Sequence, residues 1–436
     1  MTNPMTMATT TPTTSPTPET APLPAGFIPS RHKKNHAQVR RLLGALQWAM
    51  PGVSEPADER WRHIGEALMH GDEPMDRLVD WMFASGLKAA RAQFEQALER
   101  GIDSVVDAPT PLREFFALVD ADPKWLDREL QAEGAEVYRR GGLELVYVAR
   151  DVAFLGGYQA SAFNKTLLLT GALTKGATRR LAETLRWALD CTGEGGMQRF
   201  GEGWKSTVRV RLIHALVRRH VQRRPEWRMQ EWGLPINQID MAATLLGAVS
   251  VPLLGARLLG MPQTLRERDA ATHSGRYIGW LLGVEPCWLP TDERSALVLL
   301  YEFLLSISNP DETSIELARP LADEPLGRPY PRLGALRGRF DRARHLSISR
   351  LFLGRAGMRN LGLPTWTVPW YPILNLPLNL LRHLLSRVMP GGKLRAAREG
   401  RRAQEEFLRL LSGNQPVIIG QAAAASGGQA AGASHS

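Results

Sequence analysis

Strand-like alternation of apolar and polar residues is nearly absent from this chain, whereas apolar residues recur at steps of three and four over most of its length. A period near 3.6 with almost no period of 2 leaves helix-on-helix packing as the way to bury a core, so the chain is expected to be all-α. With 436 residues and 44% hydrophobic content it can bury a large core, as one big helical domain or two smaller ones. The reading taken is a single large domain over residues 31–412. The flanks, 1–30 (rich in Thr and Pro) and 413–436 (ending SGGQAAGASHS), bury too little apolar surface to offset ordering entropy and are expected to be disordered.

Local signals punctuate the helical pattern. Thr110-Pro111 and Asp122-Pro123 each set a capping residue before a proline at the first helical position, and Thr291 precedes the buried-helix run RSALVLLYEFLLSIS. Residues 241–256, MAATLLGAVSVPLLGA, carry no charge, but Pro252 interrupts them and Arg257 closes them, short of the roughly 20 apolar residues of a membrane span. That stretch reads as a buried core helix. Residues 378–388, LNLLRHLLSRV, are amphipathic and read as a packed C-terminal helix, with peripheral membrane contact as the alternative.

Several function classes find no support. The N-terminus lacks a basic start, an apolar core and a twin-arginine pair, so it is not read as a secretory signal, and a cytoplasmic location is expected. The two cysteines, Cys191 and Cys287, are isolated, with no CxxCH for covalent haem and no CxxC for zinc or redox work. No HExxH, GxSxG or GxxxxGK[ST] occurs. The net charge of +10 invites a nucleic-acid reading, but no nucleic-acid motif accompanies the arginines and none is expected as a partner. They are read as solvated helix faces, with 391–402 (GGKLRAAREGRR) able to touch anionic lipid.

Two stretches carry chemistry. In VRVRLIHALVRRHV, residues 208–221, a helical period puts His214 on one side with Thr207, Val210, Arg211, Val217, Arg218 and Val221. A neutral imidazole among valines can ligate iron, and cations one turn away, Arg211 and Arg218, suit the propionates of a haem. The competing reading is a buried histidine satisfied by a backbone carbonyl beside a solvated arginine face. In RRLAETLRW, Arg180 and Thr184 are spaced i, i+4, and Trp187 and Cys191 continue their stripe. Between the two stretches, the glycines of GEGGMQRFGEGW read as a tight connection that lets two helices approach. Downstream, Asn237 and Asp240 of WGLPINQID read as helix-capping or bracing residues.

RLIHALVRRHV, RRLAETLRW, GEGW, WGLPINQID, RDAATHSGRYIGWLLGVEPCWLP and LPTWTVPWYPILNLPLNLL, in that order, resemble the latex clearing protein (rubber oxygenase) superfamily, which also holds the ER-bound oxygenase of mycophenolic acid biosynthesis. The likeness spans roughly residues 110–390. It implies a globin-like helical core with extra helices around a buried, non-covalent haem b, with His214 as iron ligand. Arg180 and Thr184, which match the family's pattern, would line the haem pocket and be needed for function. It further implies O2 as co-substrate and oxidative cleavage of an unsaturated, lipophilic, isoprenoid-like small substrate.

One departure bears on the reaction. The latex-cleaving type uses a glutamate upstream of the arginine–threonine helix as a base, yet residues 152–182 hold no acid here, and a collinear reading puts Asn164 in its place. The nearest carboxylates are Asp151 and Glu183. Three readings follow in order: a haem b oxygenase, a haem-binding sensor or carrier without turnover, and a haem-free basic helical binding module.

Overall fold

A computed structural model describes residues 23–34, 54–171 and 176–419; these form a single all-α domain, and no strand occurs among them. The expected disordered flanks lie largely outside the described residues. Where described, they rest on the domain: Ser30 N–H donates to Gln230 O at 3.0 Å, and Val417 packs on a hydrophobic cluster. Arg31, the next residue, is anchored by both carboxylate oxygens of Asp240 at 2.9 Å.

Most helix starts follow their local chemistry. Asp292 closes a capping box with Ser295 at the head of Glu293–Leu305, whose Ala296, Leu300 and Phe303 are buried, so the cap is the residue after Thr291. Thr110 heads Thr110–Asp120 with Pro111 in the first turn, but sits inside the helix and caps nothing. Asp122-Pro123 starts no helix, because the Asp122 carboxylate is taken by Arg128; the helix Arg128–Arg140 begins further on, where Asp127 accepts from the N–H groups of Glu129 and Leu130.

Pro252 interrupts the uncharged run but does not end the helix, and the stretch read as a buried core helix is one. Gln238–Leu258 runs through the proline for 21 residues. An interior proline removes one hydrogen bond at a cost of about 3 kcal/mol, and here the buried Leu245, Leu246, Val249 and Leu253 offset it. Among the described residues this helix alone is long and apolar enough, by length and composition, to cross a membrane, and 61% of that window is buried inside the protein.

Two apolar cores form. One gathers Phe94, Phe116, Trp204, Leu212, Leu245 and Trp288; the other gathers Tyr147, Leu185, Leu321, Ile348, Leu361 and Phe407. The helix Ala177–Cys191 straddles them: Leu181, Leu185 and Leu189 enter the second, while Cys191 and the half-buried Trp187 join the first. Beside it, residues Ala149–Phe154 form a π-helical turn, a local widening that is uncommon and frequent at functional sites.

The helix Trp370–Val388 is the opposite of the packed amphipathic helix expected from its pattern. Its buried residues are Pro372 and Asn379, while Leu374, Leu378, Leu381 and Leu385 are exposed. It is held by polar contacts: Asn379 Nδ2 to Leu259 O at 3.0 Å, Asn375 Nδ2 to Glu144 Oε1 at 3.1 Å, and Arg387 Nη2 to Pro262 O at 3.1 Å.

Candidate functional site

Two helices, Ala177–Cys191 and Glu202–Val221, pack on each other across the glycine-rich connection. A Cβ on Gly203 would lie 2.5 Å from Asp190 O and 2.6 Å from Cys191 Cα, so glycine there is what permits the close approach. A small polar knot locks the pair. Thr207 donates to Gly203 O at 2.6 Å and accepts from Trp187 Nε1 at 3.1 Å; Cys191 Sγ lies 3.4 Å from the same hydroxyl. Burial pushes the Cys191 thiol up to about 12, so it keeps its proton.

His214 lies on the second of these helices and is half-buried. Its Nδ1 is sealed from solvent with no hydrogen-bond partner, and neither ring nitrogen makes a hydrogen bond among the described residues. Burial, aided by the Arg218 charge, lowers its pKa from 6.5 to about 4, with Asp72 pulling weakly the other way. The ring is therefore neutral at pH 7 and keeps a free lone pair. The backbone carbonyl that would make it an ordinary core histidine is not there. An unsatisfied buried nitrogen costs about 1–3 kcal/mol, a cost that a partner for the ring would remove.

Arg211 and Arg218 are neither solvated nor free. Arg211 meets Asp72 through Nε at 2.6 Å and Nη2 at 2.7 Å; Arg218 Nε lies 3.0 Å from both oxygens of Asp76, and its Nη1 donates to Ile236 O at 2.6 Å. Both side chains are buried. Burial raises the Asp76 pKa while Arg218 pulls it down. These pairs pin the histidine helix to the segment around Glu73–Ala84, and a propionate would have to displace a bidentate carboxylate to reach either guanidinium. The sequence reading missed Asp72 and Asp76; their i, i+4 spacing behind Gly71 is the signal that could have found them.

Arg180 is the cation left over. It has no carboxylate partner among the described residues, and its guanidinium sits 5.3 Å from the centre of the Phe154 ring at the end of the π turn. Thr184 is exposed and its hydroxyl donates to Arg180 O at 3.1 Å. The two thus share a face as expected, on the helix adjoining that of His214, with no hydrogen bond or ion pair joining either to the imidazole. Half-buried apolar side chains pack on both cores near these helices: Trp187, Val210 and Ala243 on one, Val152, Phe154 and Leu168 on the other.

Neither of the carboxylates that flank residues 152–182, Asp151 and Glu183, is free to act as a base. Asn164 is fully buried, its Nδ2 donating to Tyr158 O at 2.7 Å and Thr313 Oγ1 at 3.2 Å, with Oδ1 unpaired. Glu183 pairs with Arg179. Asp151 is walled in: Arg150 Nη1 lies 2.5 Å from Oδ1 and His345 Nδ1 2.7 Å from Oδ2. Arg328 Nη2 donates to His345 Nε2 at 3.2 Å and both Arg328 and Arg150 reach Glu324, completing a cluster that is essentially solvent-free. The sequence reading did not single out His345, Glu324 or Arg328. A separate cleft of about 390 Å³ is lined by Arg128, Gln131, Arg139, Gln198 and Arg199; His214, Arg180 and Thr184 do not line it.

Comparison with known proteins adds to this geometry. Residues 145–383, just over half of the chain, match the family model described as "ER-bound oxygenase mpaB/B'/Rubber oxygenase, catalytic domain". A rubber oxygenase of Streptomyces sp. (strain K30) is 24% identical over 200 residues, 45% of this chain and 47% of that protein. The chain therefore spans about half the length of this curated relative. A solved structure of latex clearing protein LCP in the closed state superposes with a TM-score of 0.56 at 17% identity, covering 81% of this chain and 94% of that one. The structural likeness is one of fold.

Proposed function

The chain belongs to the mpaB and rubber oxygenase catalytic-domain family, and from that premise we propose that it is a haem b-dependent oxygenase acting on an unsaturated, lipophilic substrate. The observation that carries the reading is His214, a half-buried, neutral imidazole with no hydrogen-bond partner among the described residues. A bare metal ion held by side chains takes three or more protein ligands, and among the described residues no group of three His, Cys, Asp or Glu is placed for one. A haem needs a single histidine and apolar surroundings and little else from the protein, and partly buried Val210 and Val217 flank His214 on its helix.

When bound, the haem would supply dioxygen binding and activation. The chain's own residues do the rest. His214 would hold the group through one ring nitrogen, and its low pKa keeps protons from competing for the lone pair at neutral pH. Arg180 holds a permanent charge beside the Phe154 ring, where it can anchor a propionate or stabilise negative charge that develops during the reaction. Thr184 offers a hydroxyl one turn along the same face. Arg211 and Arg218 position His214 through Asp72 and Asp76.

A second reading, a haem-binding sensor or carrier without turnover, is favoured by Asn164, which stands where the latex-cleaving type has a base and cannot take a proton. Absorption spectra of the purified protein before and after dithionite, with a pyridine haemochrome assay, test the shared premise. One b-type haem per chain, lost in His214→Ala, is expected; a colourless protein that refuses added haem would overturn both readings. Substrate-dependent oxygen uptake by the loaded protein then separates them. Uptake with an unsaturated lipid supports the oxygenase, and none with any lipid tried leaves the sensor or carrier.

A further inference from the structure

The helix Trp370–Val388 is inside out. Residues at one spacing, Pro372, Asn375, Asn379, His383 and Arg387, turn toward the protein, while Leu374, Leu378, Leu381, Leu385 and Val388 form a stripe facing out at 64%, 50%, 56%, 46% and 77% exposure. The inward face is bonded: Tyr371 OH donates to Glu144 at 2.6 Å, and Asn379 and Arg387 reach the carbonyls of Leu259 and Pro262. The orientation is therefore set by specific contacts, and turning the leucines inward would break them. Of the 24 large apolar side chains exposed among the described residues, 12 lie between Trp366 and Leu394. A patch so concentrated marks an interaction surface and sets it apart from scattered surface leucines.

Charge identifies the partner. Residues 342–398 contain ten Lys or Arg and no Asp or Glu. Arg355, Arg359, Arg382, Arg395 and Arg398 are exposed and have no carboxylate partner among the described residues. A two-fold contact between copies would press these like charges together, whereas a bilayer with anionic headgroups meets both the stripe and the cations. Trp366, 83% exposed at the edge of the patch, suits the headgroup level of a bilayer.

We propose that this face lies on an anionic membrane surface, with the leucine stripe sunk below the headgroups and the unpaired arginines among them. The inference stands apart from the haem reading, since it uses none of the same residues. The test is sedimentation of the full-length protein with vesicles of phosphatidylcholine alone or mixed with phosphatidylglycerol. Binding to the mixed vesicles is expected, weakened about fivefold for each of Arg382→Ala and Arg395→Ala. Leu378→Gln/Leu381→Gln/Leu385→Gln should abolish it with helicity and thermal unfolding unchanged, because these side chains support no core. A wild-type protein that stays in solution with anionic vesicles, or binding untouched by the triple substitution, overturns the proposal. So does a lipid-free dimer that the triple substitution dissociates, which would assign the face to a second copy.

Discussion

Two histidines in this protein, one fully buried and one half-buried with a sealed Nδ1, have the same electrostatic problem and opposite solutions. His345 is 1% exposed and has both ring nitrogens engaged, Nδ1 with Asp151 and Nε2 with Arg328. Because Arg328 can only donate, Nε2 must accept, which puts the ring proton on Nδ1 and aims it at Asp151. His214 is also held neutral by burial, yet it has neither bond. A satisfied buried histidine belongs to the fold. An unsatisfied one, beside two salt-bridged arginines that hold its helix still, is what the proposed cofactor site calls for.

The comparison can be broken most violently at Asp151. Asp151→Ala strands the buried Arg150 and removes the acceptor of His345, and should cost about 3–5 kcal/mol of stability in urea unfolding. A loss under about 1 kcal/mol would mean that Glu324 alone suffices for Arg150 and that the cluster is not a unit.

The two histidines should then part company under the same substitution. His345→Leu leaves Asp151 and Arg328 each short of a partner and is expected to cost about 2–3 kcal/mol. His214→Leu removes an unpaired nitrogen, so the stability of the haem-free protein should stay within about 1 kcal/mol of the parent while haem retention disappears. Equal losses at both positions would place His214 in the fold and remove the basis for a ligand there.

A pH titration sharpens the contrast further. The folded-state pKa of His214 is about 4 against 6.5 for the free side chain. Between those values the unfolded chain binds a proton that the haem-free folded chain does not. The His214 contribution is therefore intact above pH 6.5 and is lost as the pH falls toward 4. His214→Leu should flatten the stability profile of haem-free protein in that window; an unchanged slope would show that the ring is solvated.

The smallest structural effect is expected on the neighbouring helix. Thr184 is exposed and bonds its own backbone, and Arg180 pairs with no acid, so alanine at either position should change stability by less than about 0.5 kcal/mol. Both variants should retain haem and lose oxygen uptake. If haem is lost instead, the pair holds the cofactor in place and takes no part in turnover.

Much of the fold was legible from period and local chemistry. The absence of alternation implied helices throughout, Asn237 was recognisable as a cap and accepts from Asp240 N at 2.9 Å, and the glycines of GEGGMQRFGEGW announced a close helix pair. The face carrying His214, and the shared side of Arg180 and Thr184, followed from spacing alone. Illegible were the partners. Arg211 finds Asp72 at a separation of 139 residues and His345 finds Asp151 at 194, and no local pattern encodes such a pairing.

The inverted helix marks the boundary most clearly. Sequence determined which residues of Trp370–Val388 share a side, because the helical repeat is a property of the backbone alone. It also determined that the surrounding stretch is basic throughout. Which side looks inward was decided by tertiary structure, because burial depends on what stands opposite: Glu144, Leu259 O and Pro262 O offered hydrogen-bond partners to Asn375, Asn379 and Arg387. The same holds at the site. A sequence can place a histidine among valines, but only the packed molecule shows whether a carbonyl is there to meet it, and for His214 none is among the described residues.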